Sequence, residues 1–260
     1  RASRPRALNP KSNVRSDGAV SHQVALSNLL RFCASLAGVS NQKLIIFGAG
    51  QTAEVAHFYF INDSAFDVVV FTVDAEYITA DTLFGVPVVP FENLAEAFAP
   101  DAHDLFVAVT YTGLNKVRAQ KLSEAKAKGY SCPRYVSTKA TVWPGLRHGE
   151  NCLILEDNTI QPHVTIGDDV YLWSGNHIGH HTTVGDHVYI ASHVVVSGSV
   201  EIGAYSFIGV NATLRDNIRI GRENLIGAAC LILRYTEDRA VFKGQASEAA
   251  AITSDKLRRI

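Results

Sequence analysis

Every sixth residue from Ile154 to Ile232 is aliphatic: Ile154, Ile160, Ile166, Leu172, Ile178, Val184, Ile190, Val196, Ile202, Ile208, Leu214, Ile220, Ile226 and Ile232. Glycine often follows, at Gly167, Gly179, Gly185, Gly203, Gly209, Gly221 and Gly227. The residue two before is mostly small or slim, as at Cys152, Asn158, Val164, Thr182, Ala212 and Cys230. A period of six fits neither a helix (about 3.6) nor a free strand (about 2), and it matches a hexapeptide β-helix. Each hexad then contributes one short strand with its aliphatic residue inward, and glycine relieves a corner that a Cβ would strain. Three hexads close one coil, so residues eighteen apart stack at about 4.8 Å. Asn158 and Asn176 are eighteen apart at inward small positions and are expected to bond each other as an amide ladder. Val136 and Val142 are already in phase, which starts the prism near residue 135. His148 breaks the phase, and Pro144-Gly145 suggests a loop bulging from a corner.

The chain before the prism has a different rhythm. Residues 1–20 are basic and acid-poor and read as a disordered tail, with a targeting peptide as the alternative. Residues 21–38 place Leu26, Leu29, Leu30, Cys33, Leu36 and Ala37 on one face of a helix capped by Ser21 and ended by Gly38. From Lys43 strands and helices alternate. Strands are expected at 43–47, 67–73 and 105–110, and helices from the glycine turn to about Asn62, near 91–98 and at 114–128. That is a small parallel α/β unit. The expected organisation is a tail and appended helix (1–40), a Rossmann-like unit (41–134), a β-helix (135–245) and a C-terminal tail (246–260).

The Gly48-x-Gly50-x-x-Ala53 turn suits a phosphate at a helix N-terminus, and Asp74 closes the second strand where it can accept bonds from a ribose or base. Alone, the turn is compatible with a nucleotide, a dinucleotide or plain packing. The formal charge of −1 offers nothing for a nucleic acid. Four cysteines without metal spacing point to a reducing cytoplasm, and Cys152 and Cys230 occupy inward hexad positions as small core residues. No eighteen-residue apolar run is present, so no membrane span is expected.

Histidines concentrate on the prism: His163, His177, His180, His181, His187 and His193. None falls on the inward series: His180 is expected on an outward strand position, and His163, His181, His187 and His193, each three after a core residue, also outward. A lone exposed histidine is usually a solvated polar group, but six on one segment point to function in at least one. Acid–base catalysis in a groove between prisms is one reading. A metal site is the other, with His163 and His181 stacked as two ligands, although no carboxylate or cysteine visibly completes it.

A small α/β unit followed by hexapeptide coils resembles the bacterial sugar acetyltransferases, which include UDP-4-amino-sugar N-acetyltransferases and sialic acid O-acetyltransferases. The resemblance spans about Lys43 to Ala246. Ser174-Gly-Asn-His-Ile-Gly-His-His181, Val196-Ser-Gly198 and Ile208-Gly-Val-Asn-Ala212 carry it. It implies a left-handed parallel β-helix that assembles as a homotrimer, with acetyl-CoA between adjacent prisms and no metal. His180 matches the general base and Gly198 the oxyanion donor. Gly198, Val210 and Ala228 match the coenzyme-lining positions, and Gly48, Gly50 and Asp74 the nucleotide-sugar site. The family's acidic residue after the base is replaced by His181, a second family histidine by Tyr189, and the glycine-loop histidine by Thr52. The glycine-x-proline-alanine turn reads Gly244-Gln-Ala246 without its proline. The implied function is acetyl transfer from acetyl-CoA to an amino or hydroxyl group of a nucleotide-linked sugar, in surface-glycan synthesis. The rivals are a metal-dependent lyase of γ-carbonic-anhydrase type and a non-catalytic scaffold.

Overall fold

A computed structural model describes residues 42–256. The appended helix expected at 21–38 and the tail at 1–20 lie outside those residues. The α/β unit runs β1 (Gln42–Phe47), α1 (Gln51–Asp63), β2 (Phe66–Val73), β3 (Thr82–Leu83), β4 (Val86–Pro90), α2 (Leu94–Ala97), β5 (Asp104–Val107) and α3 (Lys116–Ala127). Its sheet has the order β3-β4-β2-β1-β5, parallel except for the β3–β4 pair. The apolar runs that forecast buried strands form its centre, covered on both sides as parallel strands require. Alternation along β1 assigns the two sides. Leu44 and Ile46 face α1 and the prism, while Ile45 and Phe47 pack with Leu94, Leu122 and Ala125.

The prism is built from two-residue strands separated by four-residue corners. One face stacks Thr141–Val142, Thr159–Ile160, His177–Ile178, Val195–Val196, Thr213–Leu214 and Leu231–Ile232. The second stacks Arg147–His148, Thr165–Ile166, Thr183–Val184, Glu201–Ile202 and Arg219–Ile220. The third stacks seven strands, from Tyr135–Val136 through Tyr171–Leu172 and Tyr189–Ile190 to Val241–Phe242. Successive strands on each face pair in parallel, residue for residue, eighteen positions apart, as in His177↔Val195 and Ile178↔Val196, except for the last pair on the third face, Leu225↔Val241, which is sixteen apart. The aliphatic series is the buried column, from Ile154 and Ile160 to Ile226 and Ile232. Cys152 and Cys230 belong to it, and burial pushes the Cys152 thiol up to about 12.

Four details differ from the sequence reading. His148 keeps the phase: it pairs with Ile166 without a register shift, and its Nδ1 is buried without a partner. Burial, reinforced by Arg134, lowers its pKa. The amide ladder does not form. Asn158 donates to the carbonyls of Leu155 and Trp173, and the Asn176 amide bonds Trp173 and accepts the Val194 N–H, because corner carbonyls left free by the turn lie closer than the stacked amide. The corner glycines are required for a different reason. Gly179 is not left-handed, but a Cβ on it would stand 2.5 Å from the Ser197 carbonyl carbon of the next coil. The left-handed position falls two residues later and is held by Asp157, His163, Asp169, His181, His187, His193, Ser199 and Asn211, among others. Asn, Asp and His enter that conformation most readily. Corner geometry therefore accounts for His163, His181, His187 and His193, which sit in turns and not on strands.

The α/β unit docks on the third face. Ala53, Ala56, Phe60 and Phe106 pack against Tyr135, Leu153, Tyr171 and Tyr189. Polar groups fix the seam at both ends. Asp63 at the end of α1 accepts from Tyr135, Ser137 and Thr138. Arg118 of α3 is fully buried, donates to Asp169 at 2.9 Å and lies 4.2 Å over the Tyr171 ring.

Candidate active site

His180 and His181 are the two turn residues of the corner between the first and second faces. The next coil places Ser197, Gly198 and Ser199 directly over them. A Cβ on Gly198 would stand 2.5 Å from His180 Cε1 and 2.7 Å from Nε2, so the imidazole lies flat against the bare glycine. The backbone of His180 is tied on both sides: its N–H donates to Gln161 Oε1 at 2.9 Å and its carbonyl accepts the Ser199 N–H at 2.7 Å. The Ser197 and Ser199 amides are both hydrogen-bonded within the coil stack. Among the described residues no acceptor takes the Gly198 N–H, which leaves it free for a ligand oxygen. His180 Nδ1 is 3.1 Å from His181 Nδ1, and the His181 ring lies 4.6 Å from that of His163 one coil below.

The remaining residues expected at the site are dispersed over the chain. Val210 and Ala228 belong to the corner between the third and first faces, not to the corner of His180 and Gly198, and both are exposed. Gly48, Gly50 and Thr52 lie where β1 passes into α1. Gly48 has φ +126°, and a Cβ there would meet the Ala108 carbonyl oxygen at 2.7 Å. Gly50 has open space around it and caps α1 without a side chain, so the first helical amides lack a side-chain acceptor. Thr52 is buried in the first turn of α1. Asp74 does follow β2, but Lys121 holds its Oδ1 at 2.8 Å, and the ammonium is shared with Glu124. Tyr189 is buried in the seam against Tyr111 and Phe207, on a different face from His180, and burial raises its hydroxyl pKa.

The buried network at the next corner was not anticipated. Asp169 accepts from Arg118 and Asn151 and bonds His187 Nδ1 at 2.9 Å. Asp169 and His187 are eighteen apart and could have been paired by the stacking rule. Arg118 comes from a distant helix, so no local spacing announces it. The His163 and His181 rings lie 4.6 Å apart, tilted by 36°, and among the described residues no three His, Cys, Asp or Glu side chains gather at one point.

Residues 163–198, which contain this corner, match the family model for the bacterial transferase hexapeptide (six repeats). A search of curated proteins finds no match. Among solved structures, the acetyltransferase domain of PglB from Neisseria gonorrhoeae FA1090 in complex with acetyl coenzyme A superposes with a TM-score of 0.70. The identity is 25%, covering 79% of this chain and 97% of that one. PerB from Caulobacter crescentus, in complex with CoA and GDP-perosamine, has the same fold at 24% identity and a TM-score of 0.70, covering 79% of this chain and 95% of that one. WeeI from Acinetobacter baumannii AYE shares it at 18% identity and a TM-score of 0.67, covering 78% and 97%.

Fold, repeat and corner together define a hexapeptide-repeat protein of the transferase type. More narrowly, with its α/β unit set ahead of the coils, the chain is similar in fold to sugar acetyltransferases of the hexapeptide-repeat kind.

Proposed function

We propose that the protein transfers an acetyl group from acetyl-CoA to an amino or hydroxyl group of a nucleotide-linked sugar. The observation that carries this reading is the contact of the His180 ring with Gly198, whose amide is unbonded. A base and an anion donor are the two groups that acyl transfer requires. In the reaction His180 Nε2 accepts the proton of the attacking nitrogen or oxygen as that atom bonds to the thioester carbonyl carbon. The carbonyl electrons move to oxygen, and the Gly198 N–H stabilises the charge. Collapse of the tetrahedral intermediate breaks the C–S bond, and the departing CoA sulfur takes the proton back from His180.

The acetyl-CoA site draws on two copies of the chain. Gly198 and the pair Val210 and Ala228 occupy different corners of one prism, so a ligand touching all three bridges neighbouring prisms, as in a homotrimer. The nucleotide belongs at the open N-terminus of α1, with Gly48 and Gly50 allowing close approach. Asp74 joins that site once Lys121 yields or shares its oxygen. Thr52 and Tyr189 are assigned supporting places in the walls of the nucleotide-sugar site.

The test is acetyl transfer, followed by CoA thiol release, to a panel of UDP- and GDP-linked 4-amino sugars and their hydroxyl counterparts. His180→Asn is expected to lower kcat by about 10²–10⁴ without changing the oligomer. Turnover within a few-fold of the parent would remove His180 from the chemistry. Absence of coenzyme A binding in a thermal-shift titration would remove the acyl donor.

A further inference from the structure

A general base on imidazole works only if its free nitrogen faces the substrate. The His180 ring lies flat on Gly198, with Cε1, Nε2 and Nδ1 at 2.5, 2.7 and 3.1 Å from where a Cβ would stand; Nδ1 is the nitrogen engaged within the chain, which leaves Nε2 bare for the substrate and the hydrogen on Nδ1. The group that meets Nδ1 is no carboxylate. It is His181 Nδ1, at 3.1 Å. Two facing imidazole nitrogens at that distance share one hydrogen, so one ring donates and the other accepts.

We propose that His181 is the positioning residue for His180, accepting its Nδ1–H and thereby fixing the tautomer in which Nε2 is the base. The inference rests on the reading of His180 as that base. The chemistry selects this arrangement over its mirror. When His180 takes a proton it becomes an imidazolium that must donate from both nitrogens, and only a neutral His181 with a bare Nδ1 can accept from it. The hydrogen bond then has a charged donor and strengthens as the proton arrives, which favours the transition state over the ground state.

The surroundings are built to keep His181 in place. Its backbone is held in the left-handed conformation, with φ +59°. His163, one coil below, carries the same left-handed conformation and packs its ring against that of His181, tilted by 36°, and the Gln161 and Ser199 hydrogen bonds pin the His180 backbone. The neutral His181 ring leaves the pair without a fixed negative charge at the mouth of the acyl-donor groove.

The test combines a spectroscopic and a kinetic arm on the full-length protein. Long-range proton–nitrogen correlation spectra of nitrogen-labelled protein, recorded where both rings are neutral, are expected to show His180 as the Nδ1–H tautomer. In His181→Ala that preference is expected to vanish, and in His181→Asn, whose Oδ1 accepts and which suits a left-handed backbone, it is expected to return. His181→Gly removes the ring while relaxing the backbone, so a loss shared by Ala and Gly cannot be assigned to strain. With acetyl-CoA and the acceptor from the panel that turns over fastest, Ala and Gly are expected to lower kcat roughly 10- to 100-fold at unchanged KM for acetyl-CoA. Asn is expected to recover most of that loss. An Nε2–H tautomer at His180 in the parent protein, or one unmoved by His181→Ala, overturns the inference, as does a kcat that Ala and Gly leave intact. Activity surviving in His180→Asn would instead overturn the underlying assignment of the base, while the spectra still decide the pairing.

Discussion

Gly198→Ala separates the chemistry of the corner from its stability. The added Cβ would stand 2.5 Å from His180 Cε1 and 2.7 Å from Nε2. Carbon contacts relax at about 3.5 Å, so the ring must retreat by about 1 Å. Gly198 is not in the left-handed region, so alanine is accepted by the backbone and its N–H is retained. What changes is the position of His180, the proposed base, and a displacement of about 1 Å can cost about 10²-fold in rate. The exposed ring can move, so stability should hardly change. Gly179→Ala is the control, one coil earlier. Its Cβ would meet the Ser197 carbonyl carbon at 2.5 Å and the Gly198 nitrogen at 2.6 Å, backbone atoms that cannot swing aside. Overpacking of that kind costs about 1–3 kcal/mol. CoA thiol release gives kcat, and thermal denaturation gives stability. Gly198→Ala turning over within threefold of the parent, or melting as early as Gly179→Ala, would refute the contact as the basis of catalysis.

Two further predictions concern the seam. Arg118→Ala leaves Asp169 buried without its cation, and equilibrium denaturation should register a loss of about 3–5 kcal/mol, whereas surface Lys116→Ala, which breaks only an exposed pair with Glu223, should leave the denaturation curve nearly unmoved. Burial pushes the Asp63 carboxyl up, but hydrogen bonds from Thr138, Tyr135 and Ser137 outweigh it and leave the pKa lowered below 3.8. Its contribution is therefore fully present above that value and is lost as pH falls through the folded pKa. Asp63→Asn should flatten the acid limb of a stability–pH curve, and a curve that keeps its slope would count against the assignment.

Much of this molecule was legible because a β-helix is close to one-dimensional. A fixed period assigns each residue to a layer, a face and a direction, so the stacking of Gly198 over His180 follows from their separation of eighteen. The same rule misjudged what neighbours do within a layer. Asn158 and Asn176 do stack, but each bonds corner carbonyls, whose vacancy depends on the turn. The histidine cluster also meant less than its density suggested, since most of its members satisfy a left-handed corner. The α/β unit was readable as strands and helices from buried apolar runs, whereas the partner of Asp74 was not. Lys121 reaches it from a helix 47 residues away.

Sequence alone determined the prism, its inward column, the glycine-rich turn and the juxtaposition of an imidazole with a bare amide, because each depends on periodicity or on neighbours along the chain. Tertiary structure alone decided which nitrogen of His180 meets His181, that Tyr189 is buried in a seam, and that Arg118 joins helix to coil. Those depend on side-chain rotamers and on the docking of the α/β unit on the prism. The Arg118 and Tyr189 contacts arise only when the α/β unit closes on the third face, and the His180–His181 contact, though between neighbours in sequence, depends on the rotamers of the two rings.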